Sequence, residues 1–246
     1  MLPSYFRFVK GVVDCEDLPL NISRENYQDS SLISKLKNVI TWRLIKCLED
    51  ELKLDEEKYN NWYQEFSNYI KEGINVDPEN SQALLKLTRY KSTFSGDYCG
   101  LDDYVKKMKP EQKKIYYLVA PEINLARNSP FMEPFKGATA PPVLFLENHV
   151  DELCFRQVNE YKGFKFVNIE TNFEEIAKDV DHWVDVDKVT GLPEADTTSF
   201  CLWMKAELEP MVSKVSISKR LKSAPAVIVG DVSASMRVMM KMMDQQ

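Results

Sequence analysis

What this chain has least of is any organised set of cysteines. Five are present, Cys15, Cys47, Cys99, Cys154 and Cys201. An odd number at wide spacings excludes a disulfide framework and offers no Cys-x-x-Cys metal pair, so free thiols in a reducing compartment are the plain inference. Histidine is scarcer still, with His149 and His182 alone. A metal centre fails for want of ligands. A Cys–His nucleophile needs both side chains within hydrogen-bond reach. His149 and Cys154 are off the i,i+4 spacing that would place them on one helix face, so a thiol hydrolase acting through Cys154 is the weakest reading. No apolar run approaches the roughly 20 residues a membrane helix needs. The opening MLPSYF has neither the basic region nor the apolar core of a signal peptide. The basic field of a nucleic-acid binder is missing too, because the net charge is −6.

What is present reads as an ordinary globular chain. The 246 residues suffice for one large or two modest domains, and 44% hydrophobic with 28% charged residues are typical values. The organising stretch is FRFVKGVVDCEDLPLNISRENYQ, residues 6–28. Phe8, Val9, Val12 and Val13 predict a buried strand. An acidic turn follows, then a loop stiffened by Pro19, and then a helix start that Ser23 can cap. Arg24 is thereby held at a helix N-terminus. Its five donors and permanent charge suit a phosphate; equally, it can pair with Asp14, Glu16 or Asp17 and brace the turn.

Apolar residues at helical spacing predict a long helix over residues 30–54. A second helix begins after Asp55, a plausible cap, with Tyr59, Trp62, Tyr63, Phe66, Tyr69 and Ile70 on one face and Gly73 placed to end it. Its aromatic stripe reads as helix–helix core rather than a stacking platform. A third helix runs through residues 83–87. Beyond the polar residues 93–100 the pattern alternates: helix 101–108, strand 114–119, helix 122–135, strand 143–146, helix 150–161, strand 164–169. Strands separated by helices predict βαβ units and a mainly parallel sheet. No glycine-rich phosphate loop accompanies them, and nothing there looks catalytic. Residues 172–195 are acidic and irregular. A helix near 197–208, strands at 215–221 and 226–232, and a helix over 233–243 close the pattern. That last helix carries Met236, Met239, Met240, Met242 and Met243. Flexible thioethers suit a surface that repacks against many partners; they suit ordinary core, or a face covered by further helices, as well.

The run GVVDCEDLPLNISREN and its continuation YQDSSLISKL resemble the heat shock protein 90 family of chaperones. Further blocks follow in order: YIKEG, LLKLTRYKST, LDDYVKKMK, IYYLVAP, SPF and VLFLENHVDEL. LPSYFRF, LISKLKNVITWRLIK and YYLVAP resemble the organellar and bacterial branch of that family. The likeness implies a fragment of an ATP-driven chaperone of α+β fold. Residues 1–30 would end a large α/β subdomain carrying the catalytic loop, residues 31–95 form a helical connector, residues 96–172 a small βαβ subdomain, and residues 173–246 a linker with the start of the C-terminal domain. Both ends look cut, with an ATP-binding domain expected before the fragment and dimer-forming helices after it.

By the same likeness Arg24 would reach the γ-phosphate of ATP held, with Mg, by that N-terminal domain. Gln28 and Asn21 match residues of the same catalytic loop. Met236 and Met240 match exposed residues that touch unfolded client proteins, although Val232 stands where many relatives carry a large aromatic. The resemblance further implies no turnover by the fragment alone and no cofactor held in it. It implies a homodimer for the full-length protein, a monomer for the fragment, and no nucleic-acid partner or membrane span. The mitochondrial matrix is the expected location, with cytoplasm or plastid as alternatives. A helical adaptor with no nucleotide role is the competing function.

Overall fold

The computed structural model of the chain describes residues 2–13, 31–137, 140–172, 176, 193–217, 221, 223–230, 232–233, 236 and 240. Two long helices come first, α1 (Ser31–Leu54) and α2 (Glu56–Val76), followed by the short α3 (Ser81–Lys86). Asp55 breaks α1 from α2 and caps the second, its carboxylate accepting from Lys58 N–H at 2.9 Å. The aromatic stripe of α2 is core as expected: Tyr59, Tyr63 and Ile70 are buried, and Trp62 and Phe66 stack at 5.3 Å between ring centres.

The rest is a five-stranded sheet in the order β1-β3-β2-β5-β4, made of β1 (Lys91–Ser92), β2 (Lys114–Val119), β3 (Val143–Leu146), β4 (Glu160–Tyr161) and β5 (Phe164–Asn168). Its three central strands are parallel, with Tyr117 paired to Leu144 on one side and to Asn168 on the other. Both outer strands are two-residue antiparallel pieces. Helices α4 (Leu101–Lys107), α5 (Ile123–Asn128) and α6 (His149–Val158) intervene, and α7 (Glu194–Leu208) follows. The mixed α/β architecture is the one the alternating pattern predicts.

Strand β2 is buried on both faces, which is why it reads as an unbroken apolar run rather than an alternating one. Ile115, Tyr117 and Val119 join a core with α2, α3 and α6, whereas Tyr116 and Leu118 pack with Ala126, Met132 and Phe135. The Tyr104 hydroxyl ties α4 to this layer, donating to Pro142 O (2.6 Å) and accepting from Tyr116 N–H (2.9 Å).

Five expectations need correction. Residues 6–13 are not a strand: a 3₁₀ turn at Ser4–Phe6 leads into irregular chain, with Val12 97% exposed. A strand needs a partner for its ladder, and among the described residues the sheet lies elsewhere. Gly73 does not end α2, which continues to Val76 because Gly73 is a contact point rather than a stop. The helix expected over 122–135 divides at Ser129, whose hydroxyl accepts from Phe131 N–H and starts a 3₁₀ turn, Pro130–Phe135. The helix expected to reach 161 stops at Val158, because Asn159 takes a φ of +65° and Glu160–Tyr161 turn back as β4. Finally, the described residues within 215–221 and 226–232 form no strand. Isoleucine and valine there match the strand pattern, but Ile217, Ile228 and Val229 stand exposed and join no ladder among the described residues.

Candidate functional site

The residues named for catalysis, Asn21, Arg24 and Gln28, lie outside the described residues. What the structure describes is the frame on either side of them. On the N-terminal side Tyr5 and Phe6 are completely buried against α2. The Tyr5 hydroxyl donates to Asp77 Oδ2 at 2.6 Å, and the Arg7 guanidinium meets Glu72 at 2.6 Å while lying 4.4 Å from the centre of the Tyr69 ring. Phe8 completes the seat, 4.9 Å from Phe66 and 5.1 Å from Tyr69. Glycine at 73 makes this docking possible: a Cβ there would stand 2.8 Å from both Tyr5 Cδ2 and Leu84 Cδ1. On the C-terminal side α1 opens at Ser31 and packs on α2, with Thr41 and Ile45 buried along it. Its Val39 and Trp42 face outward.

The seat is also electrostatically set. The hydrogen bond from Arg7 holds the Glu72 carboxyl below its usual range. Burial pushes Asp77 up, but hydrogen bonds from Tyr5, Asn80 and the Glu79 amide outweigh it, so its net shift is downward. Glu72, whose lowering comes from Arg7 and Ser4, is therefore more firmly ionised with residues 2–9 docked than without them.

A cleft of about 300 Å³ opens beyond the carboxyl end of β3, lined among others by Tyr63, Lys71, Arg89, Tyr90, Glu147 and Asp151. Open parallel sheets commonly bind ligands in this position. Here, however, each of its two acids is held by a lysine. Lys71 and Asp151 form a buried pair at 2.8 Å, and Lys91 reaches Glu147 at 3.0 Å. Arg89 donates to Thr88 O at 3.1 Å and lies 5.4 Å from the Tyr59 ring. Burial raises Asp151, against the pull of Lys71. Pairing of α2 to α6 through Lys71 and Asp151 was not read from the sequence. An acid in a helix's first turn looks like an ordinary dipole partner, and the only further signal would have been its apolar neighbours.

Cys154 is fully buried, accepts from Asn75 Nδ2 at 3.2 Å, and has its thiol pushed up to about 12, chiefly by desolvation. His149 is exposed at the start of α6. The two do not form a nucleophile and base. Among the described residues no three metal-capable side chains gather at one point, and no helix is long and apolar enough to cross a membrane.

Of the two methionines named for partner contact, Met240 is 52% exposed and Met236 is half-buried. Met236 N–H donates to Ser233 Oγ at 3.3 Å, and the Ser233 hydroxyl donates to Glu152 Oε2 at 2.7 Å. Glu152 is itself fully buried and also accepts from Arg156 and Asn168, each at 3.1 Å. The approach to Met236 is thus fixed from within the small sheet layer.

Across residues 1–246 the sequence matches the family described as Hsp90 protein. It is 37% identical over 251 aligned positions to the mitochondrial TNF receptor-associated protein 1 homolog of Dictyostelium discoideum, an alignment covering 99% of this chain and 34% of that one. It is 38% identical to the chaperone protein HtpG of Desulfotalea psychrophila, covering 96% of this chain and 38% of that one. It is 36% identical to the mitochondrial heat shock protein 75 kDa of Bos taurus, covering 93% and 33%. The chain therefore spans between a third and two-fifths of the length of these relatives.

Proposed function

The chain belongs to the Hsp90 protein family, and from that premise we propose that it is the middle and early C-terminal part of an ATP-driven chaperone. In this reading residues 1–30 bring the catalytic loop, residues 31–95 connect, residues 96–172 form the small α/β subdomain, and residues 173–246 begin the C-terminal domain. Arg24 neutralises the charge that spreads over the γ-phosphoryl oxygens of ATP, with Mg, held by a separate N-terminal domain. Gln28, one turn on, orients that arginine or the attacking water, and Asn21 shapes the same loop. Met236 and Met240 meet apolar stretches of partly folded client proteins. The parent chain is then an ATPase and a homodimer, whereas the fragment alone turns nothing over. The mitochondrial matrix is its location, in keeping with the names of two of the relatives above.

The observation that supports this most is the family match across the whole chain, joined to a rigid seat immediately before the loop. An arginine that must meet a visiting phosphate benefits from anchored flanks, because positioning lost at its base is lost at its tip.

The test is a single chain that joins the N-terminal nucleotide domain to these residues, with ATP turnover measured for wild type and Arg24→Ala. Loss of one charge-stabilising donor should cost about hundred-fold or more in turnover. A wild-type rate from Arg24→Ala would refute the role and favour a helical adaptor. Replacing Met236 and Met240 with serine should weaken capture of an unfolded probe protein while leaving basal turnover unchanged.

A further inference from the structure

Glu133 lies in the 3₁₀ turn after α5, is 5% exposed, and receives three donors from a distant part of the chain. The Ser223 hydroxyl donates to its Oε1, as do Ser223 N–H at 3.3 Å and Ala224 N–H at 2.9 Å. Further along, Ser233 is held to Glu152 in a second clamp of the same kind, at 2.7 Å. The two differ in access. Ser233 is fully buried, whereas Ser223 is at the surface.

The sequence before Ser223 is unusual in this acidic protein. Lys219, Arg220 and Lys222 precede it, in the run KRLKSAP. Cations one, three and four positions before a serine complement the acidic substrate groove of basophilic protein kinases, a charge pattern by which such enzymes choose their targets. Among the described residues between α7 and Met236 none belongs to a helix or strand, so no regular hydrogen-bonded element has to open before the serine enters such a groove.

We propose that Ser223 is a phosphorylation site for a basophilic serine/threonine kinase and that its phosphate opens the Glu133 clamp. In the transfer, Ser223 Oγ attacks the γ-phosphorus of the kinase's ATP. The bond between that phosphorus and the β–γ bridging oxygen breaks, ADP leaves, and the hydroxyl proton passes to the kinase's catalytic carboxylate. The product places about −1.5 to −2 charges where a hydroxyl had donated to a carboxylate. A donor is lost and the phosphate's charge faces the buried Glu133 carboxylate, so the clamp cannot re-form. The Ser233–Glu152 clamp is untouched. Release is therefore confined to the chain around Ser223 and Ala224, and Met236 stays tethered by Ser233. This inference stands apart from any nucleotide role of Arg24.

The experiment uses the intact 246-residue chain, radiolabelled ATP and the catalytic subunit of cyclic-AMP-dependent protein kinase as the probe enzyme. The site is assigned by mass spectrometry, and hydrogen exchange is followed before and after phosphorylation. Incorporation should approach one phosphate per chain, fall to background in Ser223→Ala, and proceed several-fold faster in Glu133→Gln, which loosens the clamp while leaving the basic run intact. Exchange at the Ser223 and Ala224 amides should rise at least tenfold, with that at Met236 unchanged. No phosphate on Ser223 of the folded chain would overturn the proposal. So would a phosphorylated chain with unaltered Ala224 exchange, or one whose exchange rises everywhere, which would signal unfolding rather than release.

Discussion

Replacing Gly73 with alanine sets two effects of opposite sign against each other. In a helix interior alanine is favoured over glycine by about 0.8–1.0 kcal/mol, so propensity alone predicts a more stable protein. The new methyl group, however, would sit 2.8 Å from Tyr5 Cδ2, 2.9 Å from Tyr5 Cγ and 2.8 Å from Leu84 Cδ1. Carbon atoms rest about 3.5–4.0 Å apart, so each neighbour must retreat by close to an ångström. Leu84 has a free methyl end to move. Tyr5 does not: two of its contacts are at the root of the ring, the ring is buried, and its hydroxyl is fixed to Asp77. Overpacking of this kind costs about 1–3 kcal/mol, and a neighbour fixed at both ends places the cost in the upper part of that range. The net expectation is a loss of about 1–2 kcal/mol, or about 2–8 °C in Tm for a chain of this size. Thermal and urea denaturation followed by circular dichroism will measure it. In a Tyr5→Ala background the clash with the ring is gone and only the Leu84 methyl has to shift, so Gly73→Ala should stabilise by up to about 1 kcal/mol. A chain stabilised by Gly73→Ala in both backgrounds would refute the account of how residues 2–9 are seated. Under the proposed function, the same substitution should also slow turnover of the full-length protein without touching the loop itself.

Acid should release that segment as well. Glu72 has a lowered value because Arg7 and Ser4 of the docked segment bond to it, so the docked form binds fewer protons than the undocked one. Docking is then fully present above the ordinary carboxylate range and weakens as the pH falls below about 4. Ring-proton NMR signals of Tyr5 and Phe8 report it, and Glu72→Gln should reduce the dependence; signals that do not move in acid would contradict it. Lys71→Met leaves Asp151 buried without its partner and should cost about 3–5 kcal/mol in urea unfolding, whereas Lys71→Met with Asp151→Leu should recover most of that loss. A double variant no more stable than the single one would count against the pair as drawn. A thiol reagent should label the exposed Cys47 well before Cys99 or Cys154, whose thiols are buried and raised. Equal rates at Cys47 and Cys154 would show that the core around α6 opens freely.

How much of this was legible depended on how local each signal was. The unbroken apolar runs of β2 and β3, the Asp55 cap and the aromatic stripe of α2 are set by neighbours within a few residues, and each was readable as written. Gly73 was misread because an interior glycine and a terminal one look alike until the partner ring of Tyr5 is known. The strand expected over residues 6–13 failed for the complementary reason, since β-branched residues state a preference but cannot supply a partner. Ile217, Ile228 and Val229 failed the same way. Lys71 with Asp151, and Glu133 with Ser223, join residues far apart in sequence, and no period or motif announces such pairs. The loop proposed for catalysis is readable only through its likeness to a family. Its Asn21, Arg24 and Gln28 carry no spacing that chemistry alone would single out.

The two-residue strands at the margins of the sheet have a consequence for a protein proposed to handle half-unfolded chains. A long bare margin is an invitation: any extended polypeptide can zip its backbone onto it and stay. β1 and β4 run antiparallel to the interior strands, and each ends after two residues. A visiting chain therefore finds almost no ladder to extend. Under that proposal contact is left to side chains such as Met240, from which a guest can let go.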